Sequence, residues 1–447
     1  MDTNTATICT AGFARLDITP PLGAAIGGGW NIPVVTQIHD PLYVNAVAFG
    51  CADRNAVLLV CDLLGLYGEY GQNWPVQIAQ ELGMEQGSVF ICCTHTHASP
   101  MVNKLKETAP GEGGSDSQYN AWLYRRLRDA AQMALDDRKP VTDVQWAQGE
   151  TQGVAFVRRY FMTDGTVMTN PAHLRPDIDR PANETDESMR LIRILRQDAR
   201  EITLINYQLH PTHAPGSLGV ISADFPGVLR ARMEQAEDIH CVYINGAEGQ
   251  MVSADRLQPK PEVDGHTRAA EIAGKLAELA LALYPQTKST GMTGLSFARE
   301  TISLRTKYDP AKRPEYERIV RAYLEGRFED IHPTRKQANY LYSESSQLCQ
   351  LEEGRQEFMD APFNVMAFCG LALAGFPGEP FNEVGKYLRA NVPFPVTCVC
   401  CQTNDAAAYF PMERDMELGG YERYCSPLAK GTTEELMHAV QKRLSQL

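Results

Sequence analysis

Apolar runs of five to eight residues alternate along this chain with longer stretches that repeat at helical spacing, a pattern that predicts an α/β fold. Gly12 to Pro20 reads as a strand ending at a Pro-Pro pair, followed by a glycine-rich turn around Gly27 to Gly29. Asp40 to Phe49 and Ala56 to Cys61 read as a hairpin joined by the polar turn Ala52 to Asn55. A helix from Asn73 to Leu82 then leads to a buried strand, Ser88 to Cys93, giving a β-α-β unit. Asp116 or Ser117 caps a helix running through Leu135. Phe156 to Tyr160 and the turn Met162 to Gly165 predict a strand and hairpin. Strands follow at Ser188 to Arg196 and Ile202 to Leu209, then a helix from Phe225 to Gln235 capped by Ala223-Asp224, and a buried strand from Cys241 to Asn245.

Thr267 to Leu283 carries an Ala/Leu/Ile stripe that predicts a helix packed on the core. Tyr308 to Asn339 predicts one charged helix whose apolar face is Tyr316, Ile319, Val320 and Tyr323. Val365 to Ala374 predicts a single strand long enough to cross a sheet, Thr397 to Cys401 the last core strand, and Thr432 to Leu447 a terminal amphipathic helix. With no repeat, low-complexity tract or linker, the expectation is one α/β domain over residues 1–447, with mixed sheets flanked by helices and a site at the strand ends.

Composition narrows the function classes. At 447 residues the chain can bury a large core, and 44% hydrophobic with 22% charged residues is ordinary for a globular protein. A net charge of -13 argues against a nucleic-acid surface or an anionic membrane face and fits a small-molecule enzyme. No stretch is long and apolar enough for a membrane span, and the N-terminal residues lack a basic region followed by an apolar one, so the expectation is a cytoplasmic protein. Most of the twelve cysteines sit in or beside apolar runs, which predicts buried reduced thiols rather than a disulfide framework. Cys398, Cys400 and Cys401 have no CxxC partner with which to build a metal cluster.

Four strand ends collect the residues able to do chemistry. The first carries His95 and His97, which side-chain alternation on extended backbone would point the same way. The second carries His210, with His213 three residues on, as a further donor or a solvated loop histidine. The third is Pro377-Gly378-Glu379 at a strand-to-helix turn, where Glu379 is either a donor or a carboxylate complementing the helix dipole. The fourth runs from Asn404 to Pro411 and holds Tyr409, which otherwise closes a core. Two imidazoles and a carboxylate with one place left for water are the usual make-up of a hydrolytic zinc site. The long Gly- and Glu-bearing loop Lys104 to Ser117 is placed to form a rim or lid.

With these motifs together, the chain resembles the catalytic domain of the neutral/alkaline non-lysosomal ceramidases, over most of its length. The resemblance runs from Phe13 to Thr19 through Thr94 to His97, Asn206 to His210, Pro377 to Glu379 and the region of Tyr409 and Tyr421. It implies one Zn²⁺ per chain held by His95, His210, Glu379 and Tyr409. It also implies His97 as a second active-site histidine, Tyr421 as a donor to the scissile carbonyl oxygen, and Arg158, with Arg159 competing, as the arginine that meets substrate. The expected activity is metal-dependent hydrolysis of an amide bond in a small N-acyl substrate. The rivals are an esterase or peptidase on the same site, or a binding protein that holds metal or ligand without turnover. Two departures stand out: the family's Gly-Asp-x-Ser-Pro-Asn segment reads Gly249 to Ala254 here, with Gln250 for the acid and Val252 at the serine position, Ser253 following. The family's C-terminal β-sandwich is also missing from these residues, which makes ceramide in a bilayer a doubtful substrate.

Overall fold

The computed structural model describes residues 8–28, 32–104, 107–108, 114–351 and 357–447. Two sheets pack face to face with helices on both outer sides, and the burial of single strands explains why. In Arg54–Cys61 every residue from Ala56 onward is buried. Val57, Leu59 and Cys61 face a cluster shared with the helices Glu69–Glu81 and Ser117–Asp136, while Leu58 and Val60 face the second sheet. A strand covered on both faces has no polar side to alternate with, hence the continuous apolar run.

The larger sheet runs in the order Ile239–Asn245, Glu201–Tyr207, Ser188–Arg196, Lys139–Glu150, Cys9–Asp17, Tyr43–Cys51, Arg54–Cys61, Val89–Cys93. Its outermost pairs are parallel and the pairs between them antiparallel. The helices Asp224–Ala236 and Gly265–Leu283 cover one half of its outer face and Ser117–Asp136 the other. Gly12 lets that last helix lie close, since a Cβ there would fall 2.0 Å from the Ala134 carbonyl oxygen. Asp116 caps the helix through the amides of Gln118 and Tyr119. The second sheet, Leu295–Arg305, Phe358–Phe368, Leu371–Gly375 and Val396–Cys400, carries the helices Asn382–Asn391 and Thr432–Leu444 on its outer face.

The edges of the large sheet curl toward one another around the second sheet, as strong right-handed twist allows. Asn245, at the end of one edge strand, donates from Nδ2 to the carbonyl of Thr94, just past the other edge strand, at 3.1 Å. Its Oδ1 accepts from the Leu209 amide and the Tyr243 hydroxyl, and its own carbonyl accepts from the Cys401 amide. Asn404 covers the outer edge of Val89–Cys93, accepting from the Ile91 amide and donating its own amide to the Ile91 carbonyl, both at 2.8 Å.

Several expectations change. Val365 to Ala374 is not one strand but a hairpin, because Cys369 and Gly370 both take positive φ, 47° and 80°, and fold the chain back. The charged segment after Tyr308 is two helices, Arg313–Leu324 and Arg335–Gln350, broken where Gly326 adopts φ +73° and Pro333 follows. Its apolar spacing continues through the break, which is why it reads as one. The strands Lys139–Glu150 and Leu295–Arg305 carry too many polar residues to stand out as apolar runs. Asp224 does not cap its helix from outside; its carboxylate turns back to His213. Cys9 and Cys51 form a disulfide, correcting the expectation of reduced thiols throughout. They are direct cross-strand partners in the Cys9–Asp17/Tyr43–Cys51 register, which a separation of 42 residues hides in sequence. Among the described residues no helix is long and apolar enough to cross a membrane. Residues 105–106 and 109–113 of the expected lid lie outside the described residues, as do 1–7, to which the leader reading applied.

Removing the Asn245 side chain strands two buried groups, the Thr94 carbonyl and the Leu209 amide, each worth about 1–3 kcal/mol when unpaired, whereas the Tyr243 hydroxyl keeps the Tyr207 carbonyl. Asn245→Ala is therefore expected to lower unfolding free energy by at least about 2 kcal/mol in urea titrations; an unchanged midpoint and slope would contradict this role.

Candidate metal centre

His95 follows the edge strand Val89–Cys93 but is not on extended backbone: its φ is 67°, in the left-handed region. The two imidazoles therefore do not converge by strand alternation. The turn at His95 brings its Nε2 to 3.3 Å from Nε2 of His97. His95 Nδ1 lies 2.7 Å from the Leu64 carbonyl, which requires a proton on Nδ1 and leaves Nε2 to face the site. His97 is held in the same way by the Gly28 carbonyl at 3.1 Å. Gly28, at φ +96°, is close enough that a Cβ would fall 2.8 Å from that ring.

His210 enters from the other side, after Glu201–Tyr207. Its Nε2 is 3.1 Å from Oε2 of Glu379, and His95 Nε2 is 3.6 Å from the same oxygen. Glu379 lies in the short strand Gly378–Pro380, paired in parallel with Ala408–Phe410 so that Glu379 and Tyr409 are register partners. The side chains of His95, His210 and Glu379 are buried or nearly so. Donors bound to one tetrahedral Zn²⁺ at about 2.0–2.1 Å lie about 3.3 Å apart, so separations of 3.1–3.6 Å fit a single ion between His95, His210 and Glu379. His97 completes an imidazole triplet whose donor nitrogens lie within 4.8 Å of one another, and burial, then the neighbouring Glu379 carboxylate, push the Tyr409 hydroxyl up. This buried His/Glu cluster can hold a metal ion.

One member was missed in the sequence. Glu248, fully buried, sits behind His210 with Oε2 2.7 Å from Nδ1. Its carboxylate is one of four possible donors, with those of His95, His210 and Glu379, that lie within 4.8 Å of one another, but it sits on the Nδ1 side of the His210 ring whereas Nε2 faces Glu379. The Glu248 and Met251 carbonyls, 3.0 and 3.1 Å from Nδ1, fix the imidazole from behind, as outer partners do at histidine metal sites, and the Glu248 carboxylate adds negative charge beside the ring. The signal available was only the strand end Asn245 followed by Glu248, without a motif. Charge balance sets the protonation of the metal-free site. Burial by itself lowers His210, but the Glu248 carboxylate outweighs it and raises the group to about 9. Burial likewise opposes charge on His95, yet Glu379 and then Glu248 raise it. Burial, then the neighbouring His95 and His210 charges, hold His97 well below its ordinary value, so it is the neutral acceptor beside His95. Burial favours a neutral Glu379, but the two histidines hold its carboxyl well below the usual range.

The two arginines separate cleanly. Arg158 Nη1 lies 3.4 Å from His210 Nε2, its guanidinium is over the rings of Tyr409 and Tyr421, and its Nη2 donates to the Gly249 carbonyl at 2.6 Å. Arg159 points away, bonding the Gly419 and Asp415 carbonyls. Glu422, also missed in the sequence, joins the two: it accepts from Arg158 Nε at 2.7 Å and Arg159 Nη1 at 3.0 Å. Tyr421 packs edge-on to Tyr409 with ring centroids 5.6 Å apart. The structure thus gathers His95, His97, His210, Glu379, Tyr409, Tyr421 and Arg158, and leaves Arg159 outside. Gln250 is structural: its amide donates to Glu383 at 2.7 Å and accepts from the Asn382 amide at 3.0 Å. An acid there would face Glu383, already raised by burial and by Asp415.

Two facing sheets with helices outside and a His/Glu cluster at the strand ends define an α/β fold that solved ceramidases share. The crystal structure of neutral ceramidase from Pseudomonas aeruginosa superposes with a TM-score of 0.74 at 13% identity, covering 98% of this chain and 74% of that one. A ceramidase complexed with C2 matches with a TM-score of 0.74 at 14% identity, covering 98% and 75%. The neutral ceramidase resemblance therefore holds at the level of the fold. No protein-family model and no curated protein matches the sequence.

Two outcomes follow. A divalent ion bound at His210 would have to displace the proton that this residue holds up to about pH 9. Calorimetric titrations of metal-free protein at pH 7.5 in buffers of different ionisation enthalpy should show at least one proton released per ion. Apparent affinity should rise with pH until about 9; a pH-independent affinity would contradict the assignment. Glu422→Ala leaves two buried guanidiniums short of their carboxylate and should cost about 3–5 kcal/mol of stability, read by urea unfolding against wild type.

Proposed function

We propose that the protein is a metal-dependent hydrolase of amide bonds in small N-acyl substrates, with residues 1–447 acting as one ceramidase-like catalytic unit. The observation that carries this reading is the convergence of His95, His210 and Glu379 at tetrahedral spacing in a chain with the ceramidase fold. The ligand set is His95, His210, Glu379 and Tyr409, with one Zn²⁺ per chain. When bound, the ion supplies a Lewis acid and lowers the pKa of water toward neutrality. His97, neutral and half-buried beside the donors, takes and returns a proton at Nε2. Tyr421 donates from its hydroxyl to the carbonyl oxygen on which negative charge develops, and such donors are commonly the largest catalytic term. Arg158, fixed by Glu422 and Gly249, holds a fixed positive charge against the polar end of the substrate.

The departure at Gln250 does not weaken this reading. Its side chain ties the segment after Gly249 to the helix that begins at Asn382 and takes no part in the donor set.

Elemental analysis of wild type and His210→Ala side by side tests the metal, with about one zinc per wild-type chain and loss in the variant as the expected result. A panel of N-acyl amides, esters and short peptides tests the bond. Amide turnover should fall by at least about a hundredfold in Tyr421→Phe without loss of zinc. A folded, metal-loaded protein that cleaves no member of the panel would overturn the proposal.

A further inference from the structure

The stretch His210-Pro211-Thr212-His213 delivers imidazoles to two different constellations. His210 joins the metal donors, whereas His213 belongs to a hydrogen-bonded series that shares none of them. Asp224 Oδ1 lies 2.9 Å from His213 Nδ1, and His213 Nε2 lies 2.5 Å from Ser253 Oγ. The acid is held on both oxygens. Its Oδ2 accepts from the His213 and Ala214 amides at 2.7 Å each, and its Oδ1 also accepts from the Phe225 amide at 2.6 Å. Asp224 is buried at 1% exposure, the His213 side chain is largely shielded, and Ser253 retains 9%. The acid is thus fully enclosed, while the imidazole and the hydroxyl lie nearer the surface. Burial by itself would raise the Asp224 carboxyl, but His213 and these amides hold it below the usual range, ionised and fit to fix the imidazole. Asp224 adopts φ +55°, a costly conformation for a residue with a side chain, which the His213 and amide contacts hold in place.

From this geometry we infer that Ser253, His213 and Asp224 form a serine-hydrolase triad that accepts the acyl group of a small carboxylic ester without need of a metal. A serine, an imidazole and a buried acid in this relation are recognised by geometry and role rather than by position in the chain. His213 Nε2 takes the Oγ proton as Oγ forms a bond to the acyl carbon. The ester C–O bond then breaks and His213 returns the proton to the departing alkoxide, leaving an acyl-serine. Water gives a proton to His213 and adds to the acyl carbon, and Ser253 leaves and recovers that proton. The net reaction converts ester and water to acid and alcohol. The shielded hydroxyl favours a compact acyl group such as acetyl.

A fluorophosphonate probe tests this on the full-length protein, since Oγ displaces fluoride and leaves a stable adduct that intact-mass and peptide mass spectrometry locate. The expected result is one adduct on Ser253, formed equally with and without prior chelation, absent in Ser253→Ala, and slowed by on the order of a hundredfold or more in His213→Gln. A burst of p-nitrophenol from p-nitrophenyl acetate should likewise vanish in Ser253→Ala while its zinc content matches wild type. No adduct on native wild type, an adduct elsewhere, equal labelling of a folded His213→Gln, or labelling abolished by chelation would each overturn the inference. The wild-type experiment needs no variant to fold, and failure to find zinc would sink the metal reading while leaving this one to stand or fall alone.

Discussion

Asn245 joins the ends of a sheet that would otherwise lie on opposite sides of the molecule. Its amide reaches Thr94 past one edge strand, its carbonyl oxygen on the side chain takes the Leu209 amide beside His210, and its backbone receives Cys401 from the second sheet. Each bond is buried, so each lost partner would leave a polar group without water. The consequence is geometric. His95 follows one edge strand and His210 the strand beside the opposite edge, and they meet only because the sheet curls and is tied shut at this residue. Glu379 and Tyr409 then arrive from the segments that follow the second sheet's last two strands, Leu371–Gly375 and Val396–Cys400.

The charges gathered there form a continuous buried series. Glu248 faces His210, His210 and His95 face Glu379, Arg158 leans on Tyr409 and Glu422, and Arg159 carries Glu422 onward to Asp415. Isolated buried charges are costly, and pairing them in sequence is what lets them persist in a low dielectric. In the metal-free state the two histidines are driven toward the cationic form by their carboxylates. A divalent ion that displaced both protons would leave the local charge unchanged, so the same carboxylates that hold the protons are suited to hold the metal.

The His-Pro-Thr-His stretch shows how one loop serves two ends. Pro211 fixes the turn after His210 and its carbonyl accepts the His97 amide, locking the two metal-side segments together. Two residues later the chain presents His213 to Asp224 and Ser253. The residue that departs from the ceramidase pattern, Gln250, is spent on tying the intervening segment to the helix at Asn382.

The sequence alone determined the class of fold, most of the buried strands and the residue types of the site, because continuous apolar runs and strand-end histidines are local signals. It pointed to His95, His97, His210, Glu379, Tyr409 and Tyr421 as a group, through motif and resemblance, and the structure brings them together. It left open which of Arg158 and Arg159 turns inward, since adjacent residues on a broken strand differ only in what surrounds them. Glu248 and Glu422 were invisible for the same reason: their roles come from partners 38 and 264 positions away. The polar strands Lys139–Glu150 and Leu295–Arg305, the hairpin at Cys369-Gly370 and the Cys9–Cys51 bond depend on pairing between distant segments. The Ser253–His213–Asp224 series was equally hidden, its members lying in three segments that only tertiary packing brings within hydrogen-bond range.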